Sequence, residues 1–275
     1  MDIAGRVRRT RRLAIVACLG LMWPARAAAQ EPPSVGDAAD RPGYADSAVL
    51  VGRGHILFET GLTLQHDGDD RASARTLTWP QVELHGGLTS WLDAAVIWDG
   101  VVSTWTHTSS PGRTDDDTTT GLDDFRVGAK LRLVRRPRLN AAFVGYVNVP
   151  VGSDVVSRRY ADPLVRLAWS VAISDRVSVA GTVDLQAAKE DDGDVRAKPA
   201  ASAALSCGFT DAVSGFAGIV AEPAAFASRP GVWSIEGGLI RAIGDRHQVD
   251  LWLGRHINGD IDGWFVSGGV IRRLR

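Results

Sequence analysis

Charged side chains recur at every second position in several parts of the chain, and their types and spacing are those that could do chemistry. The clearest stretch spans residues 121–133. One of its faces carries Asp124, Arg126, Lys130 and Arg132, and the other carries Phe125, Val127, Ala129, Leu131 and Leu133. A period of two predicts a β-strand with two unlike faces. Charges arranged in this way either pair with one another in a closed interior or line a polar path that selects solutes.

The same alternation recurs in other stretches, so we expect the charged face to extend over a whole sheet. We predict that the following charged side chains lie on this face of the sheet: Glu59, Glu83, Asp93, Asp99, Asp124, Arg126, Lys130, Arg132, Arg166, Asp184, Glu236 and Asp250. A charge held away from bulk water must be paired or hydrated. The set therefore indicates either a salt-bridge network that fills a narrow interior or the lining of a solute path, and the pattern does not choose between them.

Stretches with strand-like alternation follow one another along the chain, and their lengths match the ~9–11 residues of a membrane strand. They cover residues 55–65, 77–88, 91–99, 121–133, 140–151, 163–173, 177–186, 196–209, 213–222, 232–241, 248–256 and 263–274. Every second connection is short, and most of the others are longer and acidic or Pro-rich, such as those over 67–74 and 101–120. That alternation is typical of outer-membrane barrels, and a secreted β-sandwich gives no reason for it. We predict an all-β fold, an antiparallel 12-stranded transmembrane β-barrel preceded by a cleavable signal peptide.

The N-terminal part divides into two segments before the first strand. Residues 1–29 combine a basic start, a short apolar run and a small-residue cleavage site at 27–29, as a secretory signal peptide does. Residues 30–53 are polar and rich in Pro and Ala, and we expect them to form a periplasmic lead-in. The outer-membrane β-barrel then occupies residues 54–275, in the outer membrane of a Gram-negative bacterium.

Charge, cysteine and histidine content exclude several functions. The chain has 31 basic and 32 acidic residues, and removing residues 1–29 takes six Arg and one Asp, which leaves 25 against 31 and a net charge of −6. This balance does not suggest binding to nucleic acid. Cys207 is the one cysteine after the signal peptide, so no intramolecular disulfide can form. His85 and His256 lie on expected inward faces, but no metal-ligand spacing or G-x-S-x-G motif occurs, so we expect no catalytic residue, no metal, no cofactor and no enzyme.

Several motifs resemble those of a bacterial outer-membrane transporter family linked to the meta-pathway of phenol degradation. Residues 84–93 (LHGGLTSWLD) are similar to its Y-G-L-T-D-x-L-E hairpin, and residues 121–130 (GLDDFRVGAK) to its G-x-G-D-x-x-x-G-x-K strand. Residues 150–152 (PVG) and 268–273 (GGVIRR) resemble a later strand end and the last strand. The resemblance extends from about residue 55 to the C-terminus and implies transport, without naming a substrate.

We therefore expect an outer-membrane transporter or channel for small molecules, with aromatic or hydrophobic ones as the first class to test. The alternatives are a structural or adhesive barrel with a filled lumen, or an outer-membrane lipid hydrolase. The expected partners are outer-membrane lipid, a small-molecule solute and the barrel-assembly machinery during insertion.

Overall fold

The computed structural model describes residues 34–189, 194–223, 231–258 and 262–274. The expected signal peptide and the first residues of the expected lead-in lie outside this part of the chain. Within it, no helix has both the length and the apolar character needed to cross a membrane.

The wall is one antiparallel sheet that closes on itself, because β1 pairs with β14 on one side and with β2 on the other. Closure leaves no free edge, and it places Glu59 opposite Ile271 in one neighbour and opposite Glu83 in the other. The strands are β1 (Ile56–Gly68), β2 (Ala72–Gly87), β3 (Leu92–Trp98), β4 (Val101–Ser110), β5 (Arg113–Leu122), β6 (Phe125–Arg136), β7 (Leu139–Val149), β8 (Pro163–Ala172), β9 (Val177–Lys189), β10 (Val195–Gly208), β11 (Val213–Glu222), β12 (Val232–Ile243), β13 (His247–His256) and β14 (Gly263–Arg273).

These segments make a barrel of twelve wall strands, as the sequence predicts. The long β2 pairs with β3 near one end and with β4 near the other, so β3 and β4 form one wall strand interrupted at residues 99–100. In the same way β5 pairs with β4 and β6 pairs with β3, with an interruption at residues 123–124. The ladder stays continuous there, since the backbone N–H of Asp123 donates to the carbonyl of Gly100 at 2.8 Å.

The two faces of the wall are those of a membrane barrel. Val127 on the outer face is 42% exposed, whereas Lys130 on the inner face of the same strand is 2% exposed. A water-soluble protein would bury the valine and expose the lysine. The inverted pattern, with apolar side chains outside and charged ones toward the lumen, is the one typical of membrane barrels.

The connections differ at the two ends of the barrel. At one end, which we call the short-turn end, tight links join β2 to β3, β6 to β7, β8 to β9, β10 to β11 and β12 to β13. At the other end β1–β2 and β4–β5 extend as long hairpins, so most of residues 67–74 and 101–120 are strand and not loop as predicted. The β4–β5 hairpin is rich in Thr and is largely polar on both faces. Threonine favours strands, but two polar faces give no apolar alternation by which these strands could be recognised from the sequence.

Residues 34–53, which we call the plug segment, lie inside the barrel. We expected these residues to form part of a lead-in outside it. The segment begins with the one-turn helix α1 (Val35–Ala38), which Ser34 caps by accepting a hydrogen bond from the backbone N–H of Asp37 at 3.1 Å. It ends where the backbone N–H of Gly54 donates to the carbonyl of Gly87 beside the β2–β3 turn. The segment therefore enters and leaves the lumen by the short-turn end.

Candidate functional site in the barrel lumen

Asp40 of the plug segment lies at the most buried charge cluster of the lumen. Its Oδ1 accepts a hydrogen bond from Lys130 Nζ on β6 at 2.7 Å, and both side chains are nearly inaccessible to solvent. The carboxylate of Glu59 on β1 accepts from the backbone N–H groups of Asp40 at 3.0 Å and of Arg41 at 2.9 Å. His85 on β2 places Nε2 3.5 Å from Asp40 Oδ2. Side chains from three wall strands thus hold one turn of the plug segment.

The next residue, Arg41, reaches a different part of the wall. Its Nη2 lies 3.2 Å from Asp250 Oδ1 on β13 and donates to Ser267 Oγ on β14 at 3.0 Å. The guanidinium occupies a notch between Gly61 of β1 and Gly269 of β14, where a Cβ on either glycine would collide with it. Glycine at these two wall positions leaves the space that the guanidinium fills.

The far side of the lumen binds the middle of the plug segment. The Arg166 guanidinium on β8 pairs with Asp46 of the plug segment and donates twice to Asp184 on β9, at 2.8 and 2.6 Å. It also lies 5.3 Å from the centroid of the Tyr44 ring, within range of a cation–π contact. The backbone N–H of Tyr44 donates to Glu236 on β12 at 3.3 Å. Burial, reinforced by the negative charge of Asp184, raises the pKa of the Tyr44 phenol well above its ordinary value.

Apolar contacts complete the packing near the short-turn end. Val35, Ala38 and Val51 of the plug segment pack with the inward-facing Leu57 and Ile271. Asp93 at the start of β3 accepts from the backbone N–H of Val51 at 2.6 Å and so fixes the returning arm. In a second cluster, Ala48 packs against inward-facing residues of β3, β7 and β8, among them Ala95, Ile97, Val144, Tyr146 and Ala168.

Other predicted residues lie away from the plug segment. Arg126 on β6 pairs with Asp99, at the interruption between β3 and β4, at 2.6 Å. Asp124 accepts hydrogen bonds from Asn148 Nδ2 at 2.8 Å and from the backbone N–H groups of Gly152 and Arg158, so it organises the connection between β7 and β8. Arg132 follows Lys130 along the same face of β6 and is partly exposed near the short-turn end.

The structure thus divides the predicted charged residues into those that engage the plug segment and those that do not. Those that contact it directly are Glu59, Asp93, Lys130, Arg166, Glu236 and Asp250; Asp184 acts through Arg166, and Glu83 lies beside His85. Asp93 lies opposite Lys130 in the β3–β6 register. The Lys130 ammonium nevertheless binds Asp40.

Sequence reasoning missed the plug residues Asp40, Arg41, Tyr44 and Asp46. A signal was present, because Leu57, Val144 and Ile271 are apolar residues at inward positions of an otherwise polar lumen. Apolar groups at such positions need a partner that shields them from water.

An aromatic pair lies further along the lumen, toward the end where β1–β2 and β4–β5 extend as long hairpins. Trp252 of β13 and Phe265 of β14 share the inward faces of Asp250 and Ser267, and their rings meet edge to face at a centroid distance of 4.7 Å. The indole N–H of Trp252 is buried and has no hydrogen-bond partner among the described residues. This pair contributes apolar ring surface and one buried, unpartnered donor to the lumen.

Comparison with known proteins gives a consistent fold. No curated protein matches the sequence. The chain is similar to the translocator domain of autotransporter NalP from Neisseria meningitidis, with a TM-score of 0.50 and 13% identity over 87% of this chain and 92% of that one. It is also similar to the transport unit of autotransporter AIDA-I from Escherichia coli, with a TM-score of 0.50 and 8% identity over 81% and 91% of the two chains. A further similar structure is the CymD monoaromatic hydrocarbon channel, with a TM-score of 0.46 and 10% identity over 80% and 88%.

The similarity to the autotransporter structures extends to the barrel fold alone, and the family is identified from the sequence. The profile described as "Putative MetA-pathway of phenol degradation" matches residues 39–274, a range that includes most of the plug segment as well as the whole barrel wall. With nearly all of the described chain matched, the protein belongs to this family.

Proposed function

We propose that the protein is an outer-membrane channel for small aromatic or hydrophobic molecules, and that the plug segment closes its lumen at rest. The observation that carries this proposal is the way in which the plug segment is held. It enters and leaves by the short-turn end, and hydrogen bonds and ion pairs to the lumen wall hold most of its length.

Such a segment can leave the lumen without breaking the wall. The wall strands pair only with one another, so the closed ladder of hydrogen bonds does not depend on the plug segment. The polar groups that it would vacate face a lumen that water can fill, and hydration replaces much of what a lost ion pair supplied. The apolar cluster around Leu57 and Ile271 is small and lies at the short-turn end.

The class of solute follows from the family description and from the aromatic pair. An aromatic ring that enters the lumen can pack against Trp252 and Phe265. A ring hydroxyl can accept a hydrogen bond from the unpartnered indole N–H once that buried group is uncovered. A phenol combines both features, so phenolic compounds are the substrates that we would test first.

The location and partners belong to the same proposal. The outer apolar face, which includes Val127 and Leu133, would contact outer-membrane lipid, and the barrel-assembly machinery would insert the chain. In outer-membrane barrels the short turns face the periplasm. The plug segment would then close the channel from the periplasmic side.

Conductance in planar bilayers tests the channel directly. The full mature protein should show rare openings, and a variant lacking residues 34–50 should show frequent ones, because the deletion removes the occupant and leaves the wall strands intact. Adding phenol to one chamber should reduce the current through open channels of the deletion variant, and Trp252→Ala should weaken that block. A folded deletion variant that never conducts would refute the channel and favour a structural barrel with a filled lumen.

A further inference from the structure

Three metal-ligating groups meet where the plug segment touches β2. Among the described residues, a carboxylate oxygen of Asp40, a carboxylate oxygen of Glu83 and a ring nitrogen of His85 lie within 4.8 Å of one another. Glu83 and His85 are two residues apart on the inward face of β2, so the strand itself places both side chains at the site. Asp40 reaches them from the plug segment.

The distances suit a bound ion better than a set of hydrogen bonds. His85 Nε2 lies 3.4 Å from Glu83 Oε2 and 3.5 Å from Asp40 Oδ2. Hydrogen bonds from N–H to oxygen are usually ~2.7–3.2 Å long, and a single N–H cannot serve two acceptors well. A tetrahedral ion with metal–ligand bonds of ~2.1 Å holds its ligands ~3.4 Å apart.

Two of the three ligand residues are buried, Glu83 is partly exposed, and one ligand atom lacks a hydrogen-bond partner. Asp40 is 7% exposed and His85 is 1% exposed. Asp40 Oδ1 is satisfied, since it accepts from Lys130 Nζ and from the backbone N–H of Ser47, each at 2.7 Å. Asp40 Oδ2, the oxygen nearer to His85, has no hydrogen-bond partner within the described part of the chain. Its lone pairs are therefore free and directed into the site.

The local charge balance also favours a cation. Asp40, Glu59 and Glu83 come together around His85, and Asp93 lies opposite Lys130 on the neighbouring strand. Lys130 pairs with Asp40, and the His85 ring lies within ion-pair distance of Asp40 and Glu83. These carboxylates attract positive charge where water has little access, and either a proton on His85 or a bound cation can supply it.

We propose that a divalent first-row transition-metal ion of the zinc type binds between Asp40, Glu83 and His85 and ties the plug segment to the barrel wall. One imidazole nitrogen and two carboxylate oxygens form a ligand set that zinc accepts, with a fourth position left for water. Asp40 bridges the ion and Lys130, so the lysine holds the carboxylate in place from the other side. The site is independent of whether a solute passes through the barrel.

Metal titration of the full mature protein in detergent tests this proposal. Chelator-treated protein should bind one equivalent of Zn²⁺ in calorimetry, and Co²⁺ should give visible absorption bands of a low-coordinate site. His85→Ala and Asp40→Asn should each weaken Zn²⁺ binding by at least about tenfold. The matched control is His107→Ala, because His107 also pairs with a carboxylate, Asp116 at 2.7 Å, but is exposed on the β4–β5 hairpin.

Three results would overturn the site. The first is wild-type protein that binds less than one equivalent, or that leaves Co²⁺ with the spectrum of the aqueous ion. The second is equal Zn²⁺ affinity in the wild type and in folded Asp40→Asn, since the ion would then not bridge to the plug segment. The third is loss of binding in His107→Ala but not in His85→Ala. The Co²⁺ spectrum needs no variant, so a failure of His85→Ala to fold would not prevent a decision.

Discussion

Arg41→Ala should release the plug segment from the lumen. The Arg41 side chain is 10% exposed and its partner Asp250 is fully buried, so the substitution leaves a buried carboxylate without its cation. Removing one member of a buried ion pair costs about 3–5 kcal/mol. Water can reach parts of the lumen once the segment moves, so we use the lower figure. At ~1.4 kcal/mol for each factor of ten, a loss of about 3 kcal/mol raises the population of the released segment about a hundredfold.

Limited proteolysis measures this population, because cleavage of a transiently opened segment follows the opening equilibrium when reclosing is fast. Cleavage within residues 34–53 of the folded protein should be about a hundredfold faster in Arg41→Ala than in the wild type. Arg53→Ala is the control, since Arg53 is the last residue of the same segment and is exposed. A change of less than about threefold in folded Arg41→Ala would show that the guanidinium does not hold the segment.

A substitution in the barrel wall tests the same contact from the other side. Gly61→Ala places a methyl group against the Arg41 guanidinium and should speed cleavage in the same direction. In the Arg41→Ala background it should add little, because the notch is already empty. Gly145→Ala is the matched control, since a Cβ at that wall position meets nothing within 4 Å. Additive effects of Gly61→Ala and Arg41→Ala would mean that the glycine serves the wall and not the plug segment.

Three further perturbations test the lipid face, the central ion pair and the buried phenol. Val127→Arg should impair insertion into liposomes, since arginine at the bilayer midplane of a barrel costs roughly 2–4 kcal/mol. The control Val155→Arg, in an exposed connection, should insert normally. Equal yields of inserted protein would place Val127 outside the lipid. Lys130→Met should lower the temperature of thermal unfolding, because it leaves Asp40 buried without its lysine partner. Adding Asp40→Asn should restore part of that loss. An unchanged unfolding temperature in Lys130→Met would show that the pair contributes nothing to stability. The pKa of Tyr44 is higher in the folded state than in the unfolded state. Its contribution to the stability of the bound plug segment is therefore fully present below the unfolded-state pKa of about 10, and it is lost as pH rises toward the folded-state pKa. Proteolytic release of the segment should therefore increase above pH ~10 in the wild type and not in Tyr44→Phe, and parallel pH profiles would contradict this.

Most of the wall could be predicted from the sequence because most strands carry their own period. The alternation around Arg126 and Lys130 indicates which face is apolar, and the alternating lengths of the connections indicate that the sheet is a barrel. Neighbouring strands joined by a hairpin must be antiparallel, so the sequence also indicates that Asp93 and Lys130 lie on adjacent strands and face the same way, whereas the structure supplies their register. These features are local, or depend on adjacent segments.

Inward apolar residues such as Leu57 and Ile271 indicate that something covers them, but only the tertiary structure identifies which segment fills the lumen. Residues 34–53 have no period, since their backbone is irregular apart from one helical turn, and a polar segment of this kind reads as a linker. Its partners lie far along the chain, with Asp40 bonded to Lys130 90 positions away and Arg41 to Ser267 226 positions away. Only the closing of the barrel brings β2, β6, β13 and β14 around one interior, and only that interior is narrow enough for a single short segment to contact all of them. The charges that alternation assigns to the lumen therefore acquire their partners from a part of the chain whose sequence carries no sign of where it lies.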